Sequence, residues 1–126
     1  GKAGGNNKMG KVERYEDLIA WQKSYQLVLE VYKVSRYFPK DEQYGLTSQI
    51  RRAAVSVPSN IAEGWGRGSR KEYIRFLEIA RGSIYELDTQ LRLATDLGYM
   101  QQQNLDVLNL TQEVSKILNG LVNSLR

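Results

Sequence analysis

The chain has 126 residues and a net charge of +4, and it contains neither histidine nor cysteine. Its length suits one domain with a substantial hydrophobic core. The missing residue types exclude disulfides, zinc–thiolate sites, serine-type catalytic triads and the histidine ligands of di-iron bundles. The chain has no apolar run long enough to span a bilayer and no signal-peptide pattern. We therefore predict a cytoplasmic protein with no membrane partner.

Charge is unevenly distributed along the chain. Residues 51–75 hold six cations and two carboxylates, whereas residues 76–126 have a net charge of −2. A basic surface of this kind attracts polyanions such as RNA, and it also suits pairing with the acidic half of another subunit. Composition alone leaves both interpretations open.

The first helix is predicted to begin near Asp17 and to end before Pro39. Residues 1–14 are glycine-rich at their start and are predicted to be a flexible leader, which leaves residues 15–126 for a helical bundle. One apolar face at helical spacing consists of Leu18, Trp21, Tyr25, Val28 and Tyr32. Pro39 and Gly45 interrupt the pattern.

The second helix is predicted to run from about Tyr44 to Gly64, with Gly64 as its C-cap. Pro58 lies inside this segment and has no N–H to donate to the Ala54 carbonyl, so we expect a kink there. Three nearby polar side chains are candidates to satisfy that carbonyl: Ser56, Ser59 and Asn60.

The third helix has the clearest pattern. Ser69 followed by Glu72 predicts a capping box, and Gly98 predicts the end of the helix. Between them a heptad seam comprises Tyr73, Leu77, Ala80, Ile84, Leu87, Leu91 and Ala94. The small residues within 80–83 are expected to let a neighbouring helix approach closely.

The fourth helix is predicted from about Gln102 to Ser124 and has two apolar stripes. One stripe comprises Val107, Leu110, Val114, Ile117 and Leu121, and the other comprises Leu108, Leu118, Val122 and Leu125. Two stripes are explained either by a wide core face or by a contact between subunits.

The glycine-rich stretch "GWGRG" at residues 64–68 matches neither a Walker loop nor a dinucleotide fingerprint, and it follows a helix rather than a strand. It is interpreted as the hairpin between the second and third helices. The hairpin places cations near a helix N-terminus, which favours anions, and Trp65 offers a stacking face for a base. The full set of candidate nucleic-acid-binding residues is Arg51, Arg52, Trp65, Arg67, Arg70, Lys71 and Arg75. Alternatively, Trp65 is buried at the bundle end and the arginines pair with Glu63 or with another subunit.

Paired carboxylates do not predict an enzyme. Glu13 and Glu16 fit the first half of a magnesium-binding pattern known from all-helical nucleotide pyrophosphatases, but no matching second half follows. Glu86 and Asp88 are two residues apart and diverge on a helix. We predict no catalytic residues, no metal and no cofactor.

Several longer stretches resemble the four-helix-bundle proteins encoded in intervening sequences of bacterial large-subunit ribosomal RNA genes. The likeness covers about residues 15–125 and rests on "YEDLIAWQKSYQLVLEVY", "FPKDEQYGLTSQIRRAAVSVPSNIAEGWGR", "EYIRFLEIARGSIYELDTQL" and "LGY". It implies an all-α, antiparallel up-down four-helix bundle, assembled as a homopentameric ring without catalysis.

The resemblance also implies kinship with Avd, the accessory protein of diversity-generating retroelements, which is a basic pentamer that binds RNA and a reverse transcriptase. Two hypotheses follow. One is a non-enzymatic, oligomeric protein associated with RNA, with a reverse transcriptase as a further partner. The other is a structural or protein-interaction bundle whose basic residues serve assembly.

Overall fold

The structure is a computed structural model that describes residues 12–101 and 105–126. Four α-helices lie in these ranges, and no strand does: α1 (Ile19–Ser35), α2 (Leu46–Gly66), α3 (Arg70–Asp96) and α4 (Leu105–Leu125). The all-α prediction is confirmed. Most of the predicted leader and the predicted start of the fourth helix at Gln102 lie outside the described residues. Within them, none of the helices is both long and apolar enough to cross a membrane.

The helices surround one core. α1 packs against α2 and α4, and α3 packs against the same two helices. Individual contacts fix the pairing of α2 and α3: Ser56 bonds to Ser83, and Gly64 lies against Phe76. The largest fully buried side chains come from all four helices and include Leu27, Ile50, Ile61, Leu77, Ile84, Leu87, Leu91 and Leu118.

The ends of α3 follow the sequence prediction closely. The Ser69 hydroxyl accepts the Glu72 N–H at 3.2 Å, which caps the first turn. Gly98 has a φ of 82°, and the Tyr99 N–H donates to the Ala94 carbonyl at 2.9 Å, which closes the last turn. The heptad seam is buried, apart from a half-buried Tyr73. The described hydrogen bonds of the Glu72 carboxylate go to Arg75 rather than back to Ser69.

The predicted apolar face of the first helix is confirmed only in part, because Leu18 is buried and Trp21 and Val28 pack against the core. The core side of α1 consists of Ala20, Ser24, Leu27, Val31 and Ser35. Ser24 and Ser35 are buried because each hydroxyl donates to a backbone carbonyl three residues earlier, at 3.0 and 3.4 Å. A search for apolar residues at helical spacing does not identify these two serines as core residues. Tyr25 and Tyr32, which belong to the predicted apolar face, are 49% and 42% exposed.

The C-terminus of α2 also differs from the prediction. Gly64 is not a C-cap but a buried residue inside the helix, which continues to Gly66. A Cβ atom at position 64 would lie 2.7 Å from the Cβ of Phe76, so glycine is required for α2 and α3 to approach at this end. The residue with positive φ in the hairpin is Gly68, at 82°.

α2 runs through Pro58 as one helix. The amide of Asn60 donates to the carbonyl and the hydroxyl of Ser56, at 2.8 and 2.9 Å, rather than to the Ala54 carbonyl. Ser56 in turn bonds to Ser83 of α3 at 2.8 Å. This polar link marks the close contact of α2 with the small stretch 80–83. Gly82 in the same stretch faces open space, so it has no part in that contact.

The two apolar stripes of α4 merge into one wide core face. Val107, Val114, Leu118 and Val122 are buried, although they come from both predicted stripes. The flanking side chains are half-buried and pack against the same core: Leu108, Leu110, Ile117, Leu121 and Leu125. Of the two explanations for the double stripe, the structure favours the wide core face.

Candidate nucleic-acid interface

The hairpin between α2 and α3 brings four predicted cations to one end of the bundle. Arg67 follows the last residue of α2, Arg70 and Lys71 begin α3, and Arg75 lies in the second turn of α3. All four side chains are exposed. The sequence prediction that this hairpin forms a basic cluster is therefore consistent with their placement.

Two of the four hairpin cations are already paired with carboxylates. Arg67 lies 3.0 Å from Glu63, and Arg75 donates to Glu72 at 3.1 Å. The hydrogen bond from Arg75 lowers the pKa of the Glu72 carboxyl and raises the pKa of the guanidinium. Both guanidiniums also lie over the Phe76 ring, 4.8 and 4.5 Å from its centroid. Local carboxylates thus offset much of the charge of Arg67 and Arg75.

Arg70 and Lys71 are different, because neither forms an ion pair within residues 12–101 and 105–126. They lie in the first turn of α3, where the helix dipole also favours an anion. The hairpin therefore presents two cations that form no ion pair and two that are paired with carboxylates.

Trp65 does not stand free as a stacking platform. It is half-buried, packs against the core, and meets Tyr73 edge-on, with the ring centroids 5.8 Å apart and the planes at 80°. Burial raises the pKa of the Tyr73 hydroxyl. This arrangement agrees with the alternative reading, in which Trp65 closes the end of the bundle.

Arg51 and Arg52 are remote from the hairpin. Arg51 and Arg67 are sixteen positions apart along α2 and its C-terminus, which is about 24 Å along the helix axis. The seven predicted residues therefore form two separate groups. Arg51 donates to the Ser35 hydroxyl at 2.8 Å and lies over the Tyr32 ring at 4.6 Å.

Both arginines line a groove of about 500 Å³ between α1 and α2. We call it the tyrosine–arginine groove; its lining includes Tyr32, Tyr44, Ser48, Arg51, Arg52 and Val55. Arg52 donates to the Ser48 hydroxyl at 3.4 Å. These partners are neutral hydroxyls, so neither guanidinium is paired with a carboxylate of the described residues. None of the described residues that line the groove is acidic.

The two tyrosines of this groove were missed by the sequence analysis. Tyr32 was assigned to the apolar face of the first helix, and Tyr44 was treated only as a helix start. Tyr44 is 91% exposed. Its exposure could have been predicted from its position beside Gly45, just before the helix. No periodic pattern there places a side chain in the core.

The carboxylate pairs are engaged with neighbouring side chains. Asp88 accepts from Arg92 at 2.9 Å, and Glu86 accepts from Gln90 at 3.5 Å. Across residues 12–101 and 105–126, no cluster of three acidic side chains could hold a metal ion.

The fold and these surfaces define a small all-α protein with two separate basic surfaces, one of which is flanked by exposed tyrosines. Residues 16–120 match the family model described as "23S rRNA-intervening sequence protein". The match spans most of the chain, and the chain belongs to this family.

A solved structure supports the same fold. The crystal structure of a protein of unknown function from the S23 ribosomal protein family, from Bacteroides thetaiotaomicron VPI-5482, is similar to this chain with a TM-score of 0.75. The two are 24% identical, and the likeness covers 83% of this chain and 96% of that chain. A comparison with curated proteins finds no significant match.

Proposed function

We propose that this chain is a non-enzymatic, self-assembling bundle that associates with RNA. The observation that carries the proposal is the state of the six cations in residues 51–75. Four of them, Arg51, Arg52, Arg70 and Lys71, form no ion pair with a carboxylate of the described residues. Arg52, Arg70 and Lys71 are exposed, and Arg51 is half-buried. Cations that form no ion pair with a carboxylate are available to phosphates, whose neutralisation releases counterions.

The assembly that we propose is an antiparallel up-down bundle in a homopentameric ring. The contacts of Ser56 with Ser83 and of Gly64 with Phe76 support antiparallel packing of α2 and α3. The pentamer is what the family resemblance implies. Exposed apolar side chains that suit a subunit contact lie mainly on α1 and α3, and none lies on residues 106–125 of α4; they include Ile19, Tyr25, Leu29, Ile79 and Leu93.

Kinship with Avd extends the proposal to a protein partner, a reverse transcriptase for which this chain would act as an adaptor. This extension is supported only by the sequence resemblance. The proposal that the chain has no catalytic role is supported by its lack of histidine and cysteine, the commonest general base and the most nucleophilic side chain.

A protein-interaction bundle is the second candidate function. An apolar groove of about 380 Å³ between α1 and α2 favours it, with Trp21, Tyr25, Leu29, Val55 and Pro58 in its walls. In this case the basic residues would pair with acidic side chains of another protein or another copy.

The experiment compares two variants with equal net charge. One changes Arg67, Arg70 and Lys71 to glutamine, and the control changes Lys23, Arg92 and Lys116 to glutamine. Binding of a labelled RNA is measured over a range of salt concentrations, and light scattering gives the oligomeric state. We expect the hairpin variant to bind more weakly, with a salt slope flattened by up to about 0.7 per lost phosphate contact. Both variants should remain oligomeric, because exposed charges contribute little to stability.

Three results would contradict the proposal. If the hairpin variant loses its oligomeric state and binds RNA as the wild type does, these residues serve subunit pairing. If the wild-type chain shows no salt-dependent binding to RNA, the RNA association is refuted and the protein-interaction function is preferred. A compact wild-type monomer at micromolar concentration would refute the ring.

A further inference from the structure

We propose that the tyrosine–arginine groove binds single-stranded RNA, with bases stacked on tyrosine and phosphates held by arginine. The inference rests on the proposed RNA association and assigns to it a site and a strand type. The groove differs from the hairpin in its position and in its chemistry, and different variants test the two sites.

Aromatic exposure is the first observation. Tyr44 is 91% exposed, although burial of a tyrosine ring would be favourable in a folded chain. It lies between the short turn Lys40–Glu42 and the first residue of α2, and Glu42 fixes this segment by accepting the Leu46 N–H at 3.1 Å. A planar ring on an anchored segment is a suitable stacking surface for any base.

The state of the two arginines is the second observation. Arg51 is held by the Ser35 hydroxyl and by the Tyr32 ring, so its guanidinium is fixed in place before a ligand arrives. Arg52 is exposed and has only a long hydrogen bond to Ser48. Because their partners are neutral, both arginines can still bind phosphate oxygens. The hairpin arginines Arg67 and Arg75, by contrast, have carboxylate partners.

An exposed tyrosine ring beside arginines without carboxylate partners favours single-stranded RNA over duplex RNA. Bases in a duplex are stacked on one another and do not expose a face to a side chain, whereas an unpaired strand can place a base on Tyr44. The groove also contains little that would suit an apolar helix, since Val55 is the only aliphatic side chain among its lining residues. Its lack of acidic side chains argues against a basic peptide.

The experiment uses three probes with the full chain: a short labelled oligouridine, a duplex RNA of the same length, and inorganic polyphosphate, which has phosphates without bases. The variants are Tyr44→Leu and Arg52→Gln. The controls are Tyr85→Leu, which removes an exposed tyrosine from α3, and Lys116→Gln, which removes an exposed cation from α4.

Tyr44→Leu should weaken oligouridine binding by roughly 5-fold to 100-fold, the loss of one stacked base. Its salt slope and its polyphosphate binding should not change, because no phosphate contact is removed. Arg52→Gln should weaken binding of both oligouridine and polyphosphate and should flatten the oligouridine salt slope by about 0.7. Tyr85→Leu and Lys116→Gln should bind oligouridine as the wild type does.

Failure of this inference differs from failure of the proposed function. If the wild type binds RNA but Tyr44→Leu behaves like Tyr85→Leu, the groove does not stack a base and only this inference is refuted. Equal weakening of duplex and oligouridine by Tyr44→Leu would refute single-strand recognition. If the wild type binds none of the RNA probes, the proposed function fails together with this site.

Discussion

Substitution of Gly64 tests the close contact between α2 and α3. An alanine Cβ at this position would lie 2.7 Å from the Cβ of Phe76 and 3.3 Å from both Cδ1 and the carbonyl oxygen of Tyr73. Carbon atoms prefer a separation of about 3.5–4.0 Å, so the two helices must move apart by about 1 Å. The atom struck in Phe76 is attached directly to the backbone and cannot rotate away.

The expected change in the free energy of unfolding follows from two opposing contributions. Overpacking costs about 2–3 kcal/mol here, near the upper end of the usual range, because the obstacle is rigid. Alanine in place of glycine in a helix contributes about 1 kcal/mol in the other direction. Gly64→Ala should therefore lower the free energy of unfolding by about 1–2 kcal/mol. For a domain of this size, each kcal/mol of lost stability lowers the Tm by roughly 3–6 °C.

Matched controls are available at Gly82 and Gly120, where an added Cβ would meet nothing within 4 Å. The same substitution there should raise the free energy of unfolding by about 0.5–1 kcal/mol. Urea denaturation followed by circular dichroism at one protein concentration measures all three variants, and light scattering checks that their oligomeric states agree. If Gly64→Ala is stabilised as the controls are, the close helix contact is refuted.

Two further predictions concern the loops. Glu42 accepts hydrogen bonds from the Leu46 N–H and from the Tyr99 hydroxyl at 2.9 Å, and these bonds lower its pKa. A lowered carboxyl pKa stabilises the fold above the ordinary value of 4.5, and this stabilisation is lost as pH falls through the folded pKa. Glu42→Gln should therefore be less stable at neutral pH and lose less stability between about pH 5 and pH 3; parallel urea-midpoint curves for variant and wild type would contradict this. Ser69→Ala removes the cap of α3 and should cost about 1 kcal/mol, whereas Ser59→Ala, on an exposed position of α2, should change stability by less than about 0.5 kcal/mol. Equal urea midpoints for the two serine variants would exclude the capping role.

Local signals in the sequence determined the number of helices and most of their ends. The Ser69 cap, the Gly98 stop and the uninterrupted seam of α3 are short-range features, because each depends on residues within one or two turns. The basic character of residues 51–75 is also a property of the sequence alone. These features were predicted correctly because no distant residue is needed to define them.

Tertiary structure decided which face of α1 is buried, why Gly64 is glycine, and what surrounds Arg51. The buried face of α1 includes Ser24 and Ser35, whose hydroxyls bond to the backbone, whereas Tyr25 and Tyr32 lie at the surface. Gly64 is required by Phe76, a residue of the next helix. Arg67 and Arg75 have carboxylate partners within their own hairpin, whereas Arg51 contacts a tyrosine and a serine of α1. The ion pairs of Arg67 and Arg75 follow from local spacing, because Glu63 and Glu72 lie four and three residues earlier in the chain. Only the packing of α1 against α2 places Tyr32 and Ser35 beside Arg51.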